Sequence, residues 1–412
     1  MHKYLDVYLF QHKLGLLEQD QGKLSFHYLP EWLQNKDAIP LSLNLPLQKE
    51  VFSDVKTRAY FANLLPEGDV RVKLAKNLGI SVKNDFACLE AIGGECAGAV
   101  SLLRPDEIFP QHFDYELLTV KQLVEKIKKI SKKPLLGGDG DIRLSLAGAQ
   151  NKLPIFIAKE NYYLSKGVAL SSHIVKPQIQ HVPYSVENEI FCMLLAGKLG
   201  LNVPEVKIIF FQHESFYQIK RYDRCKIGKQ YRRLHQEDFC QALSIMPEIK
   251  YEKEGGPSLV DCFNLLREYS VQPSIDVNQL LQLVMFNFFI GNADAHAKNI
   301  SLMLLAEGVK LAPFYDLLST AIYPDLAVKF AMKVGGENRP QYIFQRHWEH
   351  FANSIGVKPK FVLEKLTAMS IKILEEAKKT KKQMKIDQIN VDVVDKIIGI
   401  IEKRIKHIAR YS

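Results

Sequence analysis

The period of the apolar positions changes along this chain, and those changes predict its elements. Residues 1–8 alternate like a strand, and residues 7–16 and 23–28 read as a hairpin around Asp20-Gln21-Gly22. Residues 57–65 read as a helix stopped by Pro66, with a second short helix over 70–78. A glycine-punctuated stretch, 92–100, leads into a strand ending at Pro105, and residues 106–135 read as a lysine-rich connecting helix. Short strands are expected over 153–158, 162–165 and 172–176, the first two joined by a turn at Lys159-Glu160-Asn161. Ser185 is an N-cap candidate for a helix whose Ile190, Met193, Leu194 and Leu199 fall near one face and which Gly200 stops. Strands over 206–211 and 216–222 form a hairpin across Gln212-His213-Glu214. Beyond about residue 235 the pattern is mainly helical, with an apolar helix ending at Gly291 and a short apolar run over 300–305.

Composition narrows the class. With 412 residues and 47% hydrophobic content the chain supports two or three domains. Six cysteines without a C-x-x-C pair suggest neither a disulfide framework nor a zinc site, which fits a reducing cytoplasm. His347 and His350 lack the spacing of a helical zinc site and read as a surface helix turn. No stretch has the length of a membrane span or a signal-peptide core. The net charge of +9 is spread over 121–133, 220–233 and 372–385, and such basic stretches read as solvated helix faces, with a nucleic-acid role as the alternative.

The candidate chemistry begins in the loop 291–299. Asp294 and Asn299 stand five positions apart, and Asp316 follows a short hairpin later. This is the kinase arrangement in which one carboxylate accepts a hydroxyl proton while an amide and a second carboxylate hold magnesium through hard oxygen ligands. An Asn/Asp turn capping the preceding helix is the alternative. His296 and Lys298, in the same loop, either orient Asp294 and neutralise transferring charge or are structural.

The order upstream (loop, two strands, a lysine-bearing strand, a helix, two strands) is the layout of a kinase small lobe. Lys176 stands where that lobe's lysine grips nucleotide phosphates, although a strand-end lysine is ordinarily just exposed. Glu187 or Glu189 would pair with it or complement the helix dipole. The loop containing Ala147, Gly148, Ala149, Gln150 and Lys152 matches no standard phosphate-loop pattern, but its small residues let backbone amides approach a phosphate, and Gly137-Gly138-Asp139-Gly140 upstream lets it move. A phosphate on Ser145 would add nearly two negative charges beside that loop and switch the site off. Tyr222 is either a hinge residue facing adenine or a core aromatic.

Six motifs in order, 145–152, 173–176, 221–224, 236–241, 291–299 and 315–316, with 63–68 and 98–100 before them, resemble the HipA-type toxin kinases over most of the chain. The resemblance implies an α+β, two-lobed protein-kinase-like fold: an N-terminal subdomain over 1–105, a kinase small lobe over 106–235 and a helical lobe over 236–412. It implies an ATP- and Mg2+-dependent serine/threonine protein kinase, the toxin of a bacterial toxin–antitoxin module. Carried onto matching positions, Asp294 would be the catalytic base, Asn299 and Asp316 the magnesium ligands, Lys176 a phosphate ligand and Ser145 the autophosphorylation site. Family members phosphorylate cytoplasmic translation proteins, notably aminoacyl-tRNA synthetases, and are neutralised by a helix-turn-helix antitoxin of the HipB type, through which DNA contact would mainly come. Two competing readings are a kinase-shaped corepressor that only binds antitoxin and operator DNA, and a small-molecule phosphotransferase.

Overall fold

The computed structural model describes residues 3–138, 142–211, 214–228 and 230–411. The chain divides into two compact units, one of Met1–Pro177, Ile209–Glu248 and Leu302–Gly308, the other of Gln178–Ile208, Ile249–Ser301 and Val309–Ser412. The fold is mixed α and β, with the strands concentrated in the first unit and the longest helices in the second.

The first unit opens with β1 (Lys3–Leu9), β2 (His12–Asp20) and β3 (Lys23–Tyr28), then α1 (Pro30–Leu33), α2 (Asp54–Phe61), α3 (Gly68–Leu78), α4 (Asp85–Ile92) and β4 (Val100–Leu103). The strands form an antiparallel sheet in the order β3-β2-β1-β4. Alternation puts Leu5, Val7, Leu9, Leu24, Phe26 and Tyr28 on one buried face. Phe26 packs there against Phe52 and Phe61. The single strand expected over 7–16 is two strands, because the chain turns at Phe10 with a left-handed φ of 60°.

The connector expected as one helix over 106–135 is instead a strand, β5 (Tyr115–Leu118), followed by α5 (Val120–Ile130), which opens with a Thr119–Gln122 capping box. Next come β6 (Leu153–Ala158), β7 (Asn161–Ser165) and β8 (His173–Lys176), then α6 (Ser185–Lys198) in the second unit, β9 (Val206–Phe211) and β10 (Glu214–Lys220). Six strands form a sheet ordered β5-β7-β6-β8-β10-β9. Leu123, Val124 and Ile127 of α5 share its core with Leu153, Ile155, Leu164 and Val175. Part of the turn expected at Gln212-His213-Glu214 and part of the glycine stretch 137–140 lie outside the described residues. Ser185 is not the N-cap of α6; Tyr184 is, and the Ser185 hydroxyl donates to Gln178 Oε1 at 2.9 Å.

The basic stretch 220–233 is no solvated helix. It holds β11 (Arg224–Ile227) and β12 (Gln230–Arg233), and Arg221, Arg224 and Arg233 are buried. Glu95, fully buried, accepts from Arg221 Nη1 at 2.8 Å, Arg224 Nη2 at 2.5 Å and the Ser171 N–H at 3.2 Å, while Arg221 also grips Asp223 at 2.7 Å. Burial alone would raise the carboxyls of Glu95 and Asp223, yet the adjoining guanidinium groups hold both below the usual range. Burial, with Arg224 beside it, pushes Arg233 down to about 10.

β13 (His235–Asp238) and α7 (Phe239–Ala242) follow. Glu237 in β13 is fully buried and accepts from the Leu43 N–H at 2.9 Å and the Ser42 hydroxyl at 2.5 Å. Burial pushes its carboxyl up from 4.5 to about 8. The folded protein therefore keeps a proton on Glu237 that the unfolded chain loses, so this group's contribution to stability is fully present below pH 4.5 and is lost as pH rises to about 8. The expected slope from this group is at most about 1.4 kcal/mol per pH unit. Urea midpoints measured between about pH 5 and about pH 8 should fall less in Glu237→Gln than in wild type; equal slopes would contradict the assignment.

The second unit is built on α8 (Leu259–Tyr269), α9 (Pro273–Ile290), α10 (Gln345–Ser354), α11 (Pro359–Ile386) and α12 (Asp392–Ile408); between α9 and α10 the chain forms β14 (Ser301–Leu305), most of which belongs to the first unit, and β15 (Gly308–Leu311). The start of α9, Pro273 to Ile275, is exposed, but from Leu280 to Ile290 nearly every side chain is buried, so this part is central, with no solvent face. The helix packs against α8, α11 and α12, and Trp348 of α10 meets its Phe288 edge to face at 5.5 Å. Among the described residues, no helix is long and apolar enough to cross a membrane.

Candidate functional site

Helix α9 ends at Gly291, whose φ of +72° places it in the left-handed region, where a Cβ would stand 2.6 Å from Ala321 Cβ. The helix thus stops at a fixed point and the chain turns into the loop 292–299. Thr320 braces this loop: its Oγ1 accepts from the Ala293 N–H at 2.7 Å, and its own N–H donates to the Gly291 carbonyl at 3.1 Å. Asn292 closes an Asx turn by accepting the Asp294 N–H at 3.1 Å. Asn188 of α6 ties in the supporting segment, accepting from the Ser319 N–H at 2.8 Å and donating to the Ser319 carbonyl at 2.9 Å.

Asp294 emerges from this braced loop with its side chain 49% exposed, enough to meet an incoming group. Its carbonyl accepts from the Asn299 amide at 3.1 Å and the His296 N–H at 2.8 Å. The imidazole of His296 is buried, with Nε2 3.9 Å from Asp294 Oδ1. Lys298 is buried in the turn Ala297–Asn299, and its carbonyl accepts from the Tyr315 hydroxyl at 3.1 Å. The loop is thus an Asx turn followed by a tight helical turn, its backbone bonded both within the loop and to Thr320 and Tyr315.

Asn299 and Asp316 line one cavity together with Asn292, His296 and Tyr315, above an apolar floor that includes Phe288. The Asp294 carboxylate does not line it. Asp316 has φ +59°, a left-handed conformation uncommon for residues other than glycine, and such strain gathers at functional sites. Among the described residues, no group of three or more His, Cys, Asp or Glu side chains could hold a metal. Magnesium is commonly held by only one or two carboxylates plus substrate phosphates. The side chains of Asn299 and Asp316, which line this cavity, carry an amide oxygen and a carboxylate, hard donors of the kind it takes.

The other candidates lie in the first unit. Lys176, at the end of β8, is 6% exposed rather than an exposed strand-end lysine, and its ammonium lies 5.2 Å from the centroid of Tyr217, its register partner on β10. Gly148 has φ +107°, and a Cβ there would lie 2.7 Å from Lys152 Nζ. Lys152 in turn donates to the Ala147 carbonyl, and Gln150 Nε2 to the Pro177 carbonyl at 3.4 Å. Gly68 and Ala149 approach so closely that a Cβ on the glycine would be 3.7 Å from the alanine's. Tyr222 falls in the turn after β10 rather than in a strand, and its hydroxyl donates to Gln236 Oε1 at 2.6 Å.

Ser145 is fully buried. Its hydroxyl donates to the Leu64 carbonyl at 2.8 Å and its N–H to the Glu95 carbonyl at 2.9 Å. The Glu67 N–H donates to the Gly148 carbonyl at 3.2 Å, so both ends of the loop are tied to the N-terminal subdomain. Sequence reasoning missed these ties, and it missed Tyr251, whose hydroxyl donates to Asp294 Oδ1 at 2.7 Å. The partners are 43 positions apart with no motif at Tyr251, so no local signal was there to read.

Two family models match the chain: one described as the HipA N-terminal domain over residues 5–103, the other as the HipA-like C-terminal domain over 144–381. A curated relative from Sinorhizobium fredii, named putative kinase Y4mE, is 40% identical over 375 residues, 89% of either chain. The serine/threonine-protein kinase toxin HipA of Shewanella oneidensis is 31% identical over 383 residues, 90% of this chain and 87% of that one. A solved structure described as the toxin–antitoxin system of Shewanella oneidensis MR-1, HipA and HipB with operator DNA, matches with a TM-score of 0.85 at 28% identity, covering 99% of this chain and 97% of that one.

Proposed function

The chain belongs to the HipA family of serine/threonine-protein kinase toxins, and from that premise we propose that it transfers the γ-phosphate of ATP, with magnesium, to a serine or threonine of a cytoplasmic translation protein. An aminoacyl-tRNA synthetase is the candidate substrate. The observation that carries the reading is the braced loop, which presents a half-exposed Asp294 while Asn299 and Asp316 line one cavity. Asp294 takes the proton of the acceptor hydroxyl as that oxygen bonds to phosphorus. Asn299 and Asp316 are the residues that would hold the ion, through their side-chain oxygens. When bound, magnesium neutralises charge on the phosphates and orients the γ-group for in-line transfer. Lys176 supplies a further positive charge to the phosphates, with the backbone of residues 147–150 beside it and Lys152 on the same loop. Tyr222 is the proposed hinge contact to adenine. His296 steadies Asp294, and Lys298 fixes the turn that carries Asn299.

Ser145 is the proposed site of self-inactivation. A phosphate carries up to two negative charges, which the buried pocket under the Leu64 carbonyl cannot hold, so the modified loop must leave it. Incubated with MgATP, wild type should gain one phosphate at Ser145 and slow as it does so, whereas Ser145→Ala should keep a linear progress curve. Phosphate mapped to another segment by peptide mass analysis would sink the self-inactivation and leave the kinase standing. A helix-turn-helix antitoxin of the HipB type is the proposed partner, with DNA reached through it. The burial of Arg221, Arg224 and Arg233 removes part of the positive charge that a direct nucleic-acid surface would need.

A further inference from the structure

The turn that carries Tyr251 is fastened in place. Its neighbour Glu252 donates its N–H to the Ala331 carbonyl at 3.3 Å and accepts the Lys333 N–H on Oε2 at 2.6 Å. A Cβ at Gly256 would collide with the Ile249 carbonyl, so the turn closes only on glycine. The Tyr251 ring meets His296 edge to face, with centroids 5.2 Å apart at 83°, and the ammonium groups of Lys250 and Lys253 each lie 5.6 Å from its centroid. Held on these sides, the hydroxyl reaches Asp294 Oδ1 at 2.7 Å.

We propose that Tyr251 is a positioning residue for phosphate transfer: its hydroxyl grips one carboxylate oxygen of Asp294 and fixes the rotation of the group, so that the base meets an acceptor hydroxyl in a single orientation. The inference rests on Asp294 being the base. A half-exposed carboxylate turns readily about its Cβ–Cγ bond, and each wrong orientation is a non-productive encounter. In the transfer the acceptor oxygen bonds to the γ-phosphorus, its proton passes to Asp294, and the bond from that phosphorus to the bridging oxygen breaks to release ADP. Tyr251 keeps its proton throughout. The ammonium groups of Lys250 and Lys253 add positive charge beside the Tyr251 ring.

Tyr251→Phe tests this, because it keeps the ring with its His296 and lysine contacts and removes only the hydroxyl. Initial rates of ADP formation over a range of MgATP concentrations give kcat and KM for wild type and variant, and a thermal melt confirms the fold of each. The expected result is a kcat lower by about 10-fold or more with KM for ATP and the melting temperature unchanged. An unchanged kcat would overturn the proposal, leaving Tyr251 as packing. A higher kcat would also overturn it, because the hydroxyl would then be occupying the acceptor's place. Absence of ADP formation by wild type would overturn the kinase reading itself, and this role with it.

Discussion

Asp294→Ala should lower phosphate transfer from ATP by about 100-fold or more while leaving the fold and nucleotide affinity in place. The rate loss would follow from removing the proposed base, the group that would take the acceptor's proton. The fold survives because Asp294 contributes little to the packing of the loop: its side chain is half exposed, and the loop is held by Gly291, Asn292, Thr320 and backbone bonds at His296 and Asn299. The Asp294 carbonyl, which the Asn299 amide holds, remains in the alanine variant. Single-turnover transfer of labelled phosphate, beside a melting curve, separates the two effects. A rate within a few-fold of wild type would show that the base lies elsewhere.

The largest loss of stability is expected from Glu95→Ala. Removing this carboxylate leaves Arg221 and Arg224 buried with Asp223 as their one remaining acidic partner, and strips the Ser171 N–H and hydroxyl of their acceptor. Breaking a buried ion pair from one side costs about 3–5 kcal/mol, because the abandoned charge has already lost its water. The first unit should lose that much in urea unfolding, and Glu95→Gln, which keeps an acceptor oxygen, should lose less. The Glu95 carbonyl also holds the Ser145 N–H, so the damaged hub should release the loop around Ser145, visible as faster amide exchange there. A loss below about 1 kcal/mol in Glu95→Ala would mean that the cluster relaxes or hydrates without cost.

Much of the fold was legible where local patterning and tertiary environment agree. The runs that became β6 and β9 are apolar or β-branched and bounded by turn residues, and their limits are those expected from sequence. The end of α9 at Gly291 was equally plain, since only glycine fits there without strain and close to Ala321. What failed did so for identifiable reasons. β5 has no clean alternation and is an edge strand, so it looked like part of a lysine-rich helix. The arginines of 221–233 looked solvated because the acid that buries two of them, Glu95, lies more than a hundred positions upstream. Phe10 turns the chain with a positive φ that its residue type does not advertise. For the candidate site, the aspartates and asparagine were readable from their spacing, whereas the burial of Ser145 beneath the Leu64 carbonyl and the grip of Tyr251 on Asp294 exist only once the chain has folded.

Calorimetric titration of ATP with and without magnesium tests the proposed assignment of Lys176 as a phosphate ligand and of Asp316 as a magnesium ligand. Lys176→Ala should weaken ATP binding in both conditions, whereas Asp316→Ala should weaken it only when magnesium is present. Asp316→Ala binding MgATP as tightly as wild type, or Lys176→Ala binding ATP undiminished, would contradict it.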